Sequence, residues 1–208
     1  MARTFWILLV AVLVSGCGND PARVPDVVGP EPARGERVIR LDEVGVRFTG
    51  PFSWRDLVVG VTGAAGGVQS NRAVLAVWRY ERSEPLPRTG AQLEEVRELL
   101  VARVKSRDAS FVLRDSETAR LGGAPAVVLR GRQTIAGLPV EVRSAHVFSA
   151  GAEVVLDGYA PPGSFDVVDR DVFRKALATL RLRTPRPKGP GGSVPPVSSA
   201  TATPSETS

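Results

Sequence analysis

Cysteine is almost missing from this 208-residue chain: Cys17 is the only one, so no intrachain disulfide can form and no cysteine-based zinc site can be built. Histidine is equally scarce, with His146 alone. There is no basic run. The 27 lysines and arginines are interleaved with 22 acids, as around Glu94, Glu95, Arg97 and Glu98, which argues against the cationic face with spaced aromatics that nucleic acid requires. A formal charge of +5 and a pI near 10.1 permit contact with anionic lipid without pointing to it. No apolar run reaches the roughly 20 residues of a membrane-spanning helix, and no repeat occurs at a solenoid period. What is present is a globular composition, 43% hydrophobic and 24% charged, with room for one ordinary domain plus tails.

The amino-terminal residues form a pattern of their own. Arg3 supplies a positive charge, and residues 5–14 (FWILLVAVLV) form an apolar stretch of signal-peptide length. The stretch ends in Val14-Ser15-Gly16-Cys17, which resembles the lipobox of bacterial lipoproteins. That resemblance implies cleavage after Gly16 and lipidation of the Cys17 thiol, with palmitate-type acyl chains holding the mature protein on the extracytoplasmic face of the cell membrane. Residues 1–16 are thus read as a signal peptide and Cys17 as the lipid-attachment site. Two or three acyl chains hold firmly where one is marginal, at about 0.8 kcal/mol per buried CH₂.

Residues 17–36 are rich in Pro, Gly and charge and read as a flexible tether. Residues 184–208, dominated by Pro, Ser and Thr, read as a disordered tail, either a wall-crossing or glycosylated stalk or an unconstrained terminus. Between them, residues 37–183 read as a single domain.

Two helices are expected within it. Thr89-Gly90-Ala91-Gln92 has the form of a capping box, and Leu93, Val96, Leu100 and Val104 then fall three to four apart on one face. The second helix is expected to start at Asp169 as N-cap, with Asp171 in its first turn and an apolar stripe of Phe173, Ala176, Leu177 and Leu180. Strands are expected over 46–48, 57–62, 73–80, 111–113, 126–130, 140–148 and 153–159, which are rich in Val and bounded by Gly, Pro or Asp. Consecutive strands without an intervening helix between 111 and 159 argue against βαβ alternation. The expected class is α+β, an antiparallel sheet of about six or seven strands with helices packed on it.

Three segments, residues 46–54 (VRFTGPFSW), the turn Leu121-Gly122-Gly123-Ala124-Pro125-Ala126, and residues 160–182 leading into the closing helix, together resemble the Mog1/PsbP-like fold and its actinobacterial lipoprotein members. The resemblance spans residues 38–182. It implies an α/β/α sandwich and a mostly non-enzymatic accessory or binding module, and it transfers no partner.

Candidate chemistry is sparse. A Ser/His/Asp set can be written from His146, a serine and Asp157 or Asp169, but no G-x-S-x-G elbow exposes a nucleophile, so His146 reads as structural or surface and no catalytic residue is assigned. Residues 63–67 (GAAGG) lack the Lys-Ser/Thr of a phosphate loop and read as a hairpin loop; Gly122-Gly123 reads as a turn with positive φ. Asp108, Asp115, Glu117, Asp157, Asp166, Asp169 and Asp171 have no EF-hand spacing, so no metal or cofactor is expected. Trp54, Trp78 and Tyr80 read as core rather than pocket lining. The functional expectation is a lipid-anchored binding or accessory module for an envelope protein or peptide. The alternatives are a small-ligand or lipid carrier with a closed apolar cavity or, less favoured, an envelope enzyme.

Overall fold

The computed structural model describes residues 29–57 and 64–186. Three two-residue turns organise its centre. Gly122-Gly123, Ala136-Gly137 and Ala150-Gly151 all have positive φ (58° and 86°, 49° and 78°, 50° and 73°), the geometry whose twist matches that of flanking antiparallel strands. They join β6 (Val112–Leu121), β7 (Ala124–Ile135), β8 (Leu138–Ser149) and β9 (Ala152–Ala160) into a meander. The other side of the sheet is β3 (Arg55–Asp56), β4 (Ala64–Ser70) and β5 (Ala73–Glu81), with β5 paired to β9, giving the order β3-β4-β5-β9-β8-β7-β6. A second, three-stranded sheet sets β2 (Val46–Gly50) between β1 (Arg37–Leu41) and β10 (Arg181–Leu182). The expected α+β class with an antiparallel sheet is what the chain forms.

Each face of the large sheet buries a different cluster, because side chains alternate along every strand. On one face, Leu75, Val77, Ala145, Val147, Val154 and Leu156 pack with Ile39, Val46 and Phe48 of the small sheet and with Phe165, Val172, Phe173 and Leu180 of the carboxy-terminal helical segment. On the other face, Val127, Leu129 and Phe148 meet only Leu93 and Leu100 of α1 (Gly90–Arg107), with half-buried neighbours such as Val96 and Val104. Helix α1 begins as the capping box requires: Thr89 Oγ1 accepts from Gln92 N at 3.2 Å, and Gln92 Oε1 accepts from Thr89 N at 3.2 Å.

The second helix departs from expectation. It starts at α2 (Phe165–Val168), passes through a π-helical turn (Asp169–Phe173) and ends in α3 (Arg174–Ala178). Asp169 is therefore interior and is not an N-cap. Its buried carboxylate accepts from Arg143 through both oxygens, at 2.5 and 3.0 Å, a bidentate pair that fixes the helix to β8. The π turn presses the Phe173 ring onto Gly158 of β9, where any Cβ would lie 2.6 Å from the ring.

The glycine-rich segment is also corrected. Gly66 and Gly67 are not a hairpin loop but lie in β4, at φ 130° and 152° beside a register shift; a Cβ on Gly67 would meet Leu75 O at 1.9 Å. Glycine here serves close strand approach. The strand expected over 57–62 falls mostly outside the described residues, and Leu57 itself follows β3. Strand β6 runs to Leu121 rather than ending at Leu113, its length hidden by an edge strand's charges, Arg114, Asp115 and Glu117.

Candidate functional site

Between α1 and the sheet lies an open cleft of about 690 Å³. Its floor follows from alternation on two adjacent strands. On β8, Val142, Ser144 and His146 point away from the main core, and on β9 so do Glu153, Val155, Asp157 and Tyr159. The register sets Ser144 opposite Asp157 and Val142 opposite Tyr159. Polar groups thus stand side by side on a sheet face whose reverse is apolar apart from Arg143, paired with Asp169, and Glu141, paired with Arg114 and Arg132.

These side chains form one connected chain. Tyr159 Oη donates to Asp157 Oδ2 at 3.1 Å, and Ser144 Oγ is hydrogen-bonded to Asp157 Oδ1. Ser144 Oγ also lies 3.1 Å from His146 Nε2, while His146 Nδ1 lies 2.6 Å from Glu153 Oε1. The second oxygen of Glu153 accepts from Arg82. Burial, then the positive fields of Arg107 and Arg82, depress the His146 pKa to about 4, so the imidazole is neutral near pH 7. A neutral ring has one N–H; directed at the Glu153 carboxylate, it leaves Nε2 to accept from Ser144. When Asp157 is ionised, Ser144 instead donates to it. When Asp157 carries a proton, the hydrogen bonds run in one direction from Tyr159 to Glu153. Burial raises the Asp157 pKa and so favours that second state, against the opposing hydrogen bonds of Ser144 and Tyr159 and the field of Arg107. Burial, with Asp157 alongside, also pushes the Tyr159 phenol up, so it remains a donor.

The walls are apolar, with Leu100 and Val104 of α1 facing Leu129 and Phe111, and the rim carries Arg103 and Arg107. The set can offer hydroxyl, carboxyl and imidazole hydrogen bonds to a polar group held against an apolar wall. Ser144 sits within a ladder, paired with Leu129 and Asp157, so its own main chain is committed to the sheet and offers no oxyanion cradle.

The residues singled out from sequence distribute as follows. His146 and Asp157 come together in the floor with Ser144, whereas Asp169 lies on the opposite face with Arg143. Trp54 is core, 2% exposed, and Trp78 is half-buried, but Tyr80 is 49% exposed and lines the cleft rim, contrary to the core assignment. Asp108 bonds Ser110, Asp166 pairs with Arg130, and Asp171 pairs with Arg170. Among the described residues no group of three His, Cys, Asp or Glu side chains could hold a metal ion, and no helix is long and apolar enough to cross a membrane. Cys17 and the other residues of the lipobox-like segment 14–17 lie outside the described residues. Sequence reasoning missed Glu153, Tyr159 and Arg82. The signal was there in β9, where Glu153, Asp157 and Tyr159 share one face of a strand whose other face is apolar.

No family model matches the chain, and no curated protein matches it in sequence. Solved structures do. The cyanobacterial PsbP protein (CyanoP) of Synechocystis sp. PCC 6803 is similar with a TM-score of 0.54 at 15% identity, over 71% of this chain and 92% of that one. LpqN, involved in cell envelope biogenesis of Mycobacterium tuberculosis, is similar with a TM-score of 0.49 at 18% identity, over 71% and 90%. With its meander, flanking three-stranded sheet and one helix on the open face, the domain has the PsbP-like fold.

Proposed function

We propose that this chain is a lipid-anchored, extracytoplasmic binding module, non-enzymatic, that seats the polar end of a small ligand in the cleft between α1 and the sheet. The observation that carries the reading is the cleft floor: Tyr159, Asp157, Ser144, His146, Glu153 and Arg82 joined in sequence. A half-buried polar network serves packing less well than apolar side chains of the same size, so its presence beneath an open mouth favours recognition over scaffolding. The cleft is neither a closed apolar cavity, which would suit a lipid carrier, nor a filled core, which would leave only a flat docking surface. A concave site with apolar walls and few polar groups suits a hydroxyl- or amide-bearing molecule.

Anchoring is supported by Arg3, the apolar run and the lipobox-like residues 14–17. The test has two parts. Cys17→Ser is expected to release the protein from the membrane or to leave it unprocessed; a variant that still fractionates as mature, detergent-requiring protein would refute the anchor. With residues 18–208 produced without the amino-terminal apolar run, NMR titration of cell-wall glycan fragments and short peptides is expected to shift amide signals of β8, β9 and α1 around the cleft. Those shifts are expected to vanish in Asp157→Asn. Probes that leave the cleft signals unmoved, or that bind Asp157→Asn equally well, would refute the site.

A further inference from the structure

Strands β7 and β8 outrun both neighbours. β9 pairs with β8 only from Glu141 onward, and β6 pairs with β7 only as far as Arg132. The last three residues of β7 and the first three of β8 therefore pair only with each other and project as a two-stranded finger, about 10 Å long at 3.3 Å per residue. One side is steadied at its base, where Thr134 N donates to Ser110 Oγ at 2.9 Å.

The finger is unlike the rest of the surface. Residues 133–140 (QTIAGLPV) carry no charge in a chain that is 24% charged. Ile135 and Leu138, paired across the turn, are 45% and 49% exposed, and Val112, opposite Arg132, is 62% exposed. Beside the finger, Arg114 and Arg132 share a single carboxylate, Glu141, at 3.1 and 3.2 Å, which leaves one positive charge in excess.

The end of the sheet from which the finger projects is also where the chain arrives from Cys17. Val74 pairs with Tyr159 and Ala160 with Glu141, so the β4–β5 turn lies at that end. The first described residues are tied to that turn: Asn71 Nδ2 donates to Gly29 O at 2.6 Å, and Glu31 N donates to Ser70 Oγ at 2.9 Å. Residues 18–28 are all that separate Gly29 from Cys17, a contour of at most about 40 Å.

We propose that the β7–β8 finger is a membrane-contact element, with Ile135 and Leu138 entering the interfacial layer of the bilayer and Arg114 and Arg132 meeting anionic headgroups. This rests on the lipid-anchor reading, which holds the domain at the surface. At the high local concentration an anchor creates, two apolar side chains are enough to select one orientation. That orientation turns the Gln133 and Tyr159 end of the cleft toward the membrane.

The test uses the full mature chain, lipidated, on vesicles of phosphatidylcholine and phosphatidylglycerol. Leu138→Cys and, at the far end of the sheet, Ser83→Cys each carry an environment-sensitive fluorophore. The probe at position 138 is expected to brighten, shift to the blue and be quenched by nitroxide lipids, while the probe at position 83 stays water-like. Ile135→Asp is expected to abolish the shift at position 138 without releasing the protein. A vesicle-bound chain whose position 138 stays water-like, or is shielded only on adding a second copy or an envelope extract, overturns the finger and leaves the anchor standing. Should mass spectrometry find Cys17 unacylated, the anchor reading fails by itself. The finger then stands or falls on whether excess vesicles still shift the probe.

Discussion

Acidification gives the sharpest test of the cleft floor. His146 faces Ser144 and Glu153 through its two nitrogens, with Arg82, Arg107 and Asp157 around them. Burial, chiefly, holds its pKa at about 4 in the folded chain against 6.5 ordinarily. Between those values the unfolded chain binds a proton that the folded chain refuses, so stability is intact above pH 6.5 and falls as the pH drops toward 4. The full displacement is worth about 3 kcal/mol, a large part of the ~5–15 kcal/mol that holds a typical domain together. Asp157 works in the opposite sense, since its raised pKa adds stability at low pH that is lost as pH rises, and it is present in both proteins compared. Urea unfolding followed by tryptophan fluorescence, with Trp54 buried as reporter, gives midpoints across this range for the natural chain and for His146→Gln. The natural chain is expected to lose about 3 kcal/mol more than the variant between neutral pH and pH 4. Parallel pH profiles, or a natural chain that gains stability on acidification relative to the variant, would show that the imidazole is not held neutral by the fold.

Other substitutions probe the frame around the site. Gly158→Ala puts a Cβ 2.6 Å from the Phe173 ring and is expected to cost about 1–3 kcal/mol, read as a lower thermal midpoint. Asp169→Ala strands the Arg143 guanidinium and is expected to cost about 3–5 kcal/mol, whereas Arg143→Met with Asp169→Leu is expected to be close to neutral in urea unfolding. Thr89→Ala removes the cap of α1 for about 1 kcal/mol, seen as faster amide exchange in its first turn.

The parts of the fold legible in the sequence were those set by local signals. The Thr89 capping box and the Leu93, Val96, Leu100, Val104 stripe rely on spacing alone, and both formed as read. Gly122-Gly123 likewise formed the turn that its composition demands. What escaped depended on distant partners. Asp169 looks like a cap because acids suit helix starts, yet Arg143, 26 residues away, takes it into the interior. Gly66 and Gly67 look like a loop because nothing nearby reveals that β5 will approach Gly67 too closely for any side chain, or that Leu41 of β1 will press on Gly66. The cleft floor is half visible in the sequence: His146 and Asp157 stand among the candidates, but Glu153 reaches the ring only diagonally across the β8–β9 register.

The unequal division of buried side chains between the two faces of the large sheet has a mechanical consequence. One face is clamped by a second sheet and a helical segment, while α1 is held by Leu93 and Leu100 and a few half-buried neighbours. Detaching that helix exposes far less apolar area than opening the opposite side, so α1 is expected to be the first element to open in amide exchange. One wall of the cleft is thus its least securely held piece, and substitutions on the underside of α1 are expected to change exchange along that wall without touching the polar floor.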